Sequence, residues 1–177
     1  LGAEFEVIPA KGEEKTEAGL TPAETVVSLA KAKAEEVAFS CGDALVIAAD
    51  TVVSIDGDIL GKPASHEEAA EMLRRLSGRT HEVVTVLSVC KGSRIESEAV
   101  VTKVTFRALS DPEIRAYIRT GEPMDKAGSY GIQGYGAMFV SRIEGDYFSV
   151  MGLPLCPLCR MLRGFGVSIL DVQEAQS

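Results

Sequence analysis

Residues 44–63 read ALVIAADTVVSIDGDILGKP. The apolar run over 44–49 suits a buried strand, Asp50 closes it, and Asp56-Gly57 supplies the positive φ values of a tight hairpin turn. Asp50 is thus expected at the carboxyl end of an apolar strand, where open α/β sheets place their ligands. A carboxylate there either binds a metal or accepts a proton, or it caps nearby backbone N–H groups as turn residues do. The residue alone leaves both uses open.

The same grammar continues on either side. EFEVIPA (4–10) reads as a strand, and TPAETVVSLAKAKAEEVA (21–38) as a helix with Thr21 as N-cap, Pro22 at its first position and Glu24 completing a capping box. Downstream, SHEEAAEMLRRLSG (65–78) has Ser65 and Glu68 as a box, an apolar stripe of Ala69, Met72, Leu73 and Leu76, and Gly78 as a stop. HEVVTVLSVCKGSRIESEAVVTKVTFRAL (81–109) predicts two long strands about a turn near Gly92, with Val83 to Val89 too uniformly apolar to be half exposed. SDPEIRAYIRTG (110–121) repeats the helix pattern, with Ser110 and Glu113 as the box and Ile114, Tyr117 and Ile118 on the buried face. A glycine-rich segment (127–140) then leads into strands around Glu144-Gly145-Asp146, and GLPLCPLCRMLRGFG (152–166) supplies a last helix.

Hairpins mixed with crossovers predict an α/β domain with a mixed twisted sheet and flanking helices, not an all-parallel doubly wound one. No linker, low-complexity tract or repeat divides the 177 residues, so one domain is expected. A net charge of −8 disfavours a nucleic-acid polymer or an anionic membrane as partner, and a small anionic substrate would need a local group of cations or a metal. With no apolar run of membrane-spanning length and no signal peptide in view, the expected compartment is the cytoplasm. Of the cysteines at 41, 90, 156 and 159, only the last two are close, and Cys159 falls on the stripe of Leu155, Leu158 and Leu162. Packing is therefore the preferred reading over zinc or redox chemistry.

Three lysines stand out. Lys62, in Gly61-Lys62-Pro63, is a compact cation in a stiff turn one hairpin from Asp50, and Lys126 precedes glycines at 128, 131, 134 and 136 that let backbone approach a ligand. That spacing is not the dinucleotide fingerprint. Lys33 shares a helical face with Val26, Ala30 and Val37, so it must snorkel or meet an anion. His66 and His81 lack a metal-ligand partner at useful spacing.

Taken together, AADTVVSIDGDILGKP (48–63), MLRRLSGRTHEVVT (72–85) and GEPMDKAGSYGIQGYGAMFVSRIEGDYFSVMGLPL (121–155) resemble the Maf family of nucleoside triphosphate pyrophosphatases, also described as septum formation inhibitors. The likeness spans nearly the whole chain, in order. It implies a fold like that of the inosine triphosphate pyrophosphatases, two lobes around a cleft, and Mg- or Mn-dependent cleavage of a nucleoside triphosphate to monophosphate and pyrophosphate. By the same likeness Asp50 matches the catalytic acid and the metal-binding carboxylate, and Lys33, Lys62 and Lys126 match phosphate-holding residues. Thr51 and Gln133 match positions that separate the dTTP/UTP branch from a methyl-GTP branch, and the Ile132-Gln133-Gly134 triplet points to the former.

Such proteins normally open with a strand ending in Ser-x-Ser-Pro-Arg-Arg, so the expectation is a truncated or incomplete chain without its amino-terminal strand, phosphate loop and first helix. A homodimer is the common habit of such enzymes. Two rivals from other classes are a non-catalytic nucleotide sensor controlling septum formation and a thiol oxidoreductase using Cys156 and Cys159.

Overall fold

Ten consecutive residues, Val46–Ile55, form β1, the strand on which the rest of the fold is assembled. The structure, a computed structural model, describes residues 5–9, 24, 28, 36, 37 and 43–170. β1 turns through Asp56 and Gly57, both with positive φ (56° and 85°), into β2 (Asp58–Leu60). The register pairs Ile55 with Asp58, as a two-residue hairpin requires. β3 (Thr80–Lys91) and β4 (Arg94–Phe106) pair along their whole length around Gly92, and β5 (Val140–Glu144) closes the order β2-β1-β3-β4-β5. The chain is an α/β domain with helices flanking the sheet, and every described pairing is antiparallel.

α1 (His66–Leu76) buries the predicted stripe, with Leu73 and Leu76 wholly inaccessible. Each such leucine contributes roughly 1.5–3 kcal/mol. Ser65 Oγ accepts the Glu68 N–H at 3.2 Å, but Glu68 returns its carboxylate to Ala64 N at 2.7 Å, one residue upstream of a true capping box. α2 (Asp111–Ile118) has the complete box between Ser110 and Glu113. Arg74 and Arg75, off the stripe, pair with Asp111 and Asp58 at the surface.

Three sequence readings are corrected. Asp50 lies in the middle of β1, opposite Val86, because the β-branched residues after it continue the strand to the Asp56-Gly57 turn. Residues 5–9 belong to no strand, with Phe5 and Val7 largely exposed, since an apolar alternation makes a strand only beside a neighbour that takes its backbone hydrogen bonds. Of the strands expected around Glu144-Gly145-Asp146, only β5 forms among the described residues. The chain after it forms a short helix, α3 (Tyr147–Val150), because the Asp146 carboxylate accepts the N–H groups of Phe148 (2.8 Å) and Ser149 (3.3 Å). Glu24, Ser28, Glu36 and Val37 are helical, while the caps of that early helix, Lys33 and Cys41 lie outside the described residues.

One face of the sheet carries two separate cores. Val53, Ile55, Val83, Val104 and Phe106 pack under α1 and α2. Leu87 and Val89 pack under α4 (Leu155–Gly164), which contributes Leu158, Met161 and Leu162. On α4 Met161 takes the buried place expected of Cys159, which is only half-buried, while Cys156 is exposed and Cys90 is buried behind the sheet. Between the two cores the same face turns polar at Thr51 and Thr85, which are register partners.

His81 is packed into the first core, 2% exposed, with Nε2 2.8 Å from Tyr130 Oη and its ring edge-on to Phe106. Its Nδ1 is a buried nitrogen with no hydrogen-bond partner among the described residues. Burial lowers its pKa from 6.5 to about 4. The folded protein thus holds His81 neutral while the unfolded chain protonates it. Stability is full above pH ~6.5, falls as pH drops through the interval towards ~4, and the total loss is about 3 kcal/mol. Urea unfolding across that interval should show this slope in the wild type and a shallower one in His81→Phe, and equal slopes would refute it.

Candidate active site

Between the two cores lies a cleft of about 390 Å³ whose floor is Ala49, Asp50, Thr51 and Val53 of β1 with Val83 of β3. One wall runs from Asp125 through Gln133, the other is the turn Val150, Met151 and Gly152, and Lys62 stands at the rim. Asp50, Thr51, Lys62, Lys126 and Gln133, separated by up to 83 positions, therefore line one cavity. Lys33, the sixth candidate, lies outside the described residues. Cys156 and Cys159 lie elsewhere, on a shallow apolar hollow beside Tyr147 and Phe148.

Asp50 is half-buried, and its Oδ1 accepts the N–H of Thr51 at 3.1 Å. That bond orients the carboxylate with one oxygen occupied by its own backbone. β2 pairs with β1 only over residues 53–55, so among the described residues no strand covers that side of β1 at Asp50. The acid lines the cleft without lying at a strand end.

The two lysines are brought together by backbone. Gly128 N–H donates to the Gly61 carbonyl at 3.1 Å, tying the wall that carries Lys126 to the segment that carries Lys62. Gly128 has φ 67°, and a Cβ there would stand 2.8 Å from Val53 Cγ2, so both conformation and space call for glycine. Lys126 Nζ donates to Asp125 Oδ1 at 2.7 Å. This bond and the Lys126 charge, with help from Lys62, hold the Asp125 carboxyl below its usual range. Two ammonium groups and two carboxylates thus share the cleft, a local cation pair within a protein of net charge −8.

The loop carrying Gln133 is clamped from beneath. Glu122 accepts the N–H of Tyr135 through Oε2 and that of Gly136 through Oε1, both at 2.9 Å, and Oε1 also accepts the Tyr117 hydroxyl. Tyr117 Oη in turn accepts the Gly131 N–H at 3.1 Å. Burial raises the Glu122 carboxyl, but the three donors outweigh it and the net shift is downward. Burial pushes the Tyr117 phenol up, so it stays protonated as the donor. Gly136 fits because a Cβ there would collide with the Gly131 carbonyl and stand 2.8 Å from Tyr117 Oη.

Sequence reading missed Asp125, Glu122, Tyr117 and the wall at 150–152. Asp125 had a signal in its adjacency to Lys126. Glu122 and Tyr117 had none, since a carboxylate that satisfies backbone 13 and 14 residues away leaves no local pattern.

Residues 1–165 match the family described as Maf-like protein. The chain is 50% identical over 163 residues to the dTTP/UTP pyrophosphatase of Bacillus velezensis, covering 92% of this chain and 86% of that protein. It is 49% identical over 164 residues to the dTTP/UTP pyrophosphatase of Carboxydothermus hydrogenoformans, with 92% and 88% covered. The protein of the same name from Aquifex aeolicus is 48% identical over 163 residues, with 92% and 85% covered.

Proposed function

The chain belongs to the Maf family, and from that premise we propose that it is a nucleoside triphosphate pyrophosphatase acting on dTTP and UTP. The observation that carries the reading is the convergence of Asp50, Thr51, Lys62, Lys126 and Gln133 on one cleft. Relatives at 46–50% identity bear the name dTTP/UTP pyrophosphatase.

In this reading Lys62 and Lys126 hold the triphosphate oxygens and offset the repulsion of a protein with net charge −8. Asp50 accepts a proton from a water whose oxygen attacks the α-phosphorus. The bond from that phosphorus to the bridging oxygen breaks, and pyrophosphate leaves with the electron pair. Gln133 reads the base. Positioning and charge supply most of the acceleration in such transfers.

A divalent metal fits the donor chemistry of the cleft. Among the described residues no group of three or more His, Cys, Asp or Glu side chains converges as a cage. Mg²⁺ is commonly held by one or two carboxylates together with substrate phosphates, and Asp50, with Asp125 nearby on the wall, offers such hard oxygens. When bound there it would neutralise charge developing on the triphosphate.

No helix among the described residues is long and apolar enough to cross a membrane. A cytoplasmic location accompanies the proposed substrate.

The test is hydrolysis of dTTP, UTP, CTP, dATP and GTP with Mg²⁺ in water enriched in ¹⁸O. The expected products are monophosphate and pyrophosphate from dTTP and UTP, with the label in the monophosphate. Release of inorganic phosphate, label in pyrophosphate, or no turnover of any triphosphate would overturn the reading.

A further inference from the structure

Thr51, on the cleft floor, is joined to a row of buried hydroxyls behind it. Its Oγ1 lies 2.8 Å from Oγ1 of Thr85, its register partner on β3, which is 0% exposed. Thr85 Oγ1 lies 2.7 Å from the Ser149 carbonyl. Ser149 is itself fixed, because its Oγ donates to the Asp146 carbonyl at 2.7 Å and meets Thr102 Oγ1 at 2.8 Å.

A hydroxyl has one proton and a carbonyl has none. Two oxygens 2.7 Å apart with no proton between them repel, so the Thr85 proton must point at the Ser149 carbonyl. Thr85 then has only lone pairs left for Thr51. The Thr51 proton must therefore point at Thr85, away from the cleft. What Thr51 turns towards the cleft, beside Gly152 whose Cβ would lie 3.8 Å from its Oγ1, is an acceptor and not a donor.

We propose that Thr85 is a specificity-determining positioning residue, which by committing its proton to the Ser149 carbonyl fixes Thr51 as a hydrogen-bond acceptor for the N3–H of uracil or thymine. The inference rests on the dTTP/UTP reading of the cleft and deepens it. Cytosine carries a bare acceptor nitrogen at that position, so a Thr51 unable to turn its proton outward leaves two acceptors facing each other. A freely rotating threonine would serve either base. The selectivity is thus set by a residue outside the cleft lining, through the direction of one proton.

Thr85→Val keeps the volume and the β-branch but offers Thr51 no acceptor, so the Thr51 hydroxyl is released to donate. The Ser149 carbonyl keeps its bond from Gly152 N–H at 2.9 Å, so no buried acceptor is orphaned. The expected result is a fall of about tenfold in the ratio of kcat/KM for UTP over CTP, chiefly through a gain for CTP. Thr85→Ser, which restores the hydroxyl, should restore the ratio. Thr85→Cys, a second replacement with a poor acceptor, should lower it and serves where the valine variant does not fold.

Equal losses for UTP and CTP in the valine and cysteine variants, or an unchanged ratio, would overturn the role of Thr85 and leave the pyrophosphatase reading intact. So would a wild type that hydrolyses UTP and CTP equally well. A wild type that hydrolyses no triphosphate would overturn both.

Discussion

Asp50→Asn should lower kcat for dTTP by ~10²- to 10⁴-fold while KM moves by no more than a few-fold, the range expected when a general base is lost from a positioned site. The substitution is informative because of the local geometry. Asp50 Oδ1 accepts the Thr51 N–H at 3.1 Å, and an asparagine oxygen accepts the same bond, so the backbone of β1 keeps its support. What disappears is the negative charge and the capacity to take a proton from water. A residue that only capped its neighbour would be replaced by asparagine at little cost in rate. Steady-state kinetics with Mg²⁺, alongside the melting temperature, separate the two. A kcat within a few-fold of the wild type in a protein that melts normally would remove Asp50 from the chemistry.

Gln133→Glu should cut kcat/KM for dTTP and UTP by at least ~10²-fold and spare CTP by comparison, because a site built to hydrogen-bond a polar edge rejects a mismatch steeply. The carboxamide N–H donates to O4 of uracil and thymine, beside the N3–H that Thr51 accepts, whereas cytosine presents a donating amino group at that position. Glutamate has no donor for O4 and adds a charge. An amide that flips freely would read nothing, so the reading requires a group that holds the amide when the base is bound; the structure fixes the backbone that carries it. Gly131 is held by Tyr117 Oη, and Tyr135 and Gly136 are held by Glu122, so the loop is pinned on both sides of Gln133. Were Gln133 only a strut for that loop, all three nucleotides would lose activity together. Parallel losses across dTTP, UTP and CTP would defeat the base-reading role.

Both experiments address residues marked from the sequence, and the elements that carry them were legible there in uneven measure. α1 and α2 were readable because capping and the 3.6-residue stripe are local, as Ser110 and Glu113 or Leu73 and Leu76 illustrate. The turn at Asp56-Gly57 was readable because positive φ at two successive positions restricts residue choice. The continuous burial of Val83 to Cys90 followed from a run in which only Thr85 and Ser88 are polar, which a strand covered on both faces tolerates.

Where the reading failed, a distant partner decided the outcome. β1 runs past Asp50 because β3 pairs with it from Val46 to Ser54 and β2 takes over its last residues. Residues 5–9 have a strand's composition and no ladder. Asp146 opens a helix instead of a strand, and Thr102 Oγ1, 44 positions away, accepts its N–H at 3.0 Å.

The sequence by itself determined α1, α2 and α4, the hairpin turns and the apolar faces, since each is written in neighbours within about one or two helical turns, the range over which backbone bonds and side-chain stripes repeat, while its likeness to a family marked the candidate residues. Only the tertiary structure decided that Gly128 meets Gly61 and so sets Lys126 beside Lys62, that Glu122 clamps the Gln133 loop, and that Thr85 fixes the proton of Thr51. Those contacts depend on sheet register and on the packing of two separate cores. Both are properties of the whole chain, and a shift of one residue in register would turn Thr85 to the opposite face and part it from Thr51.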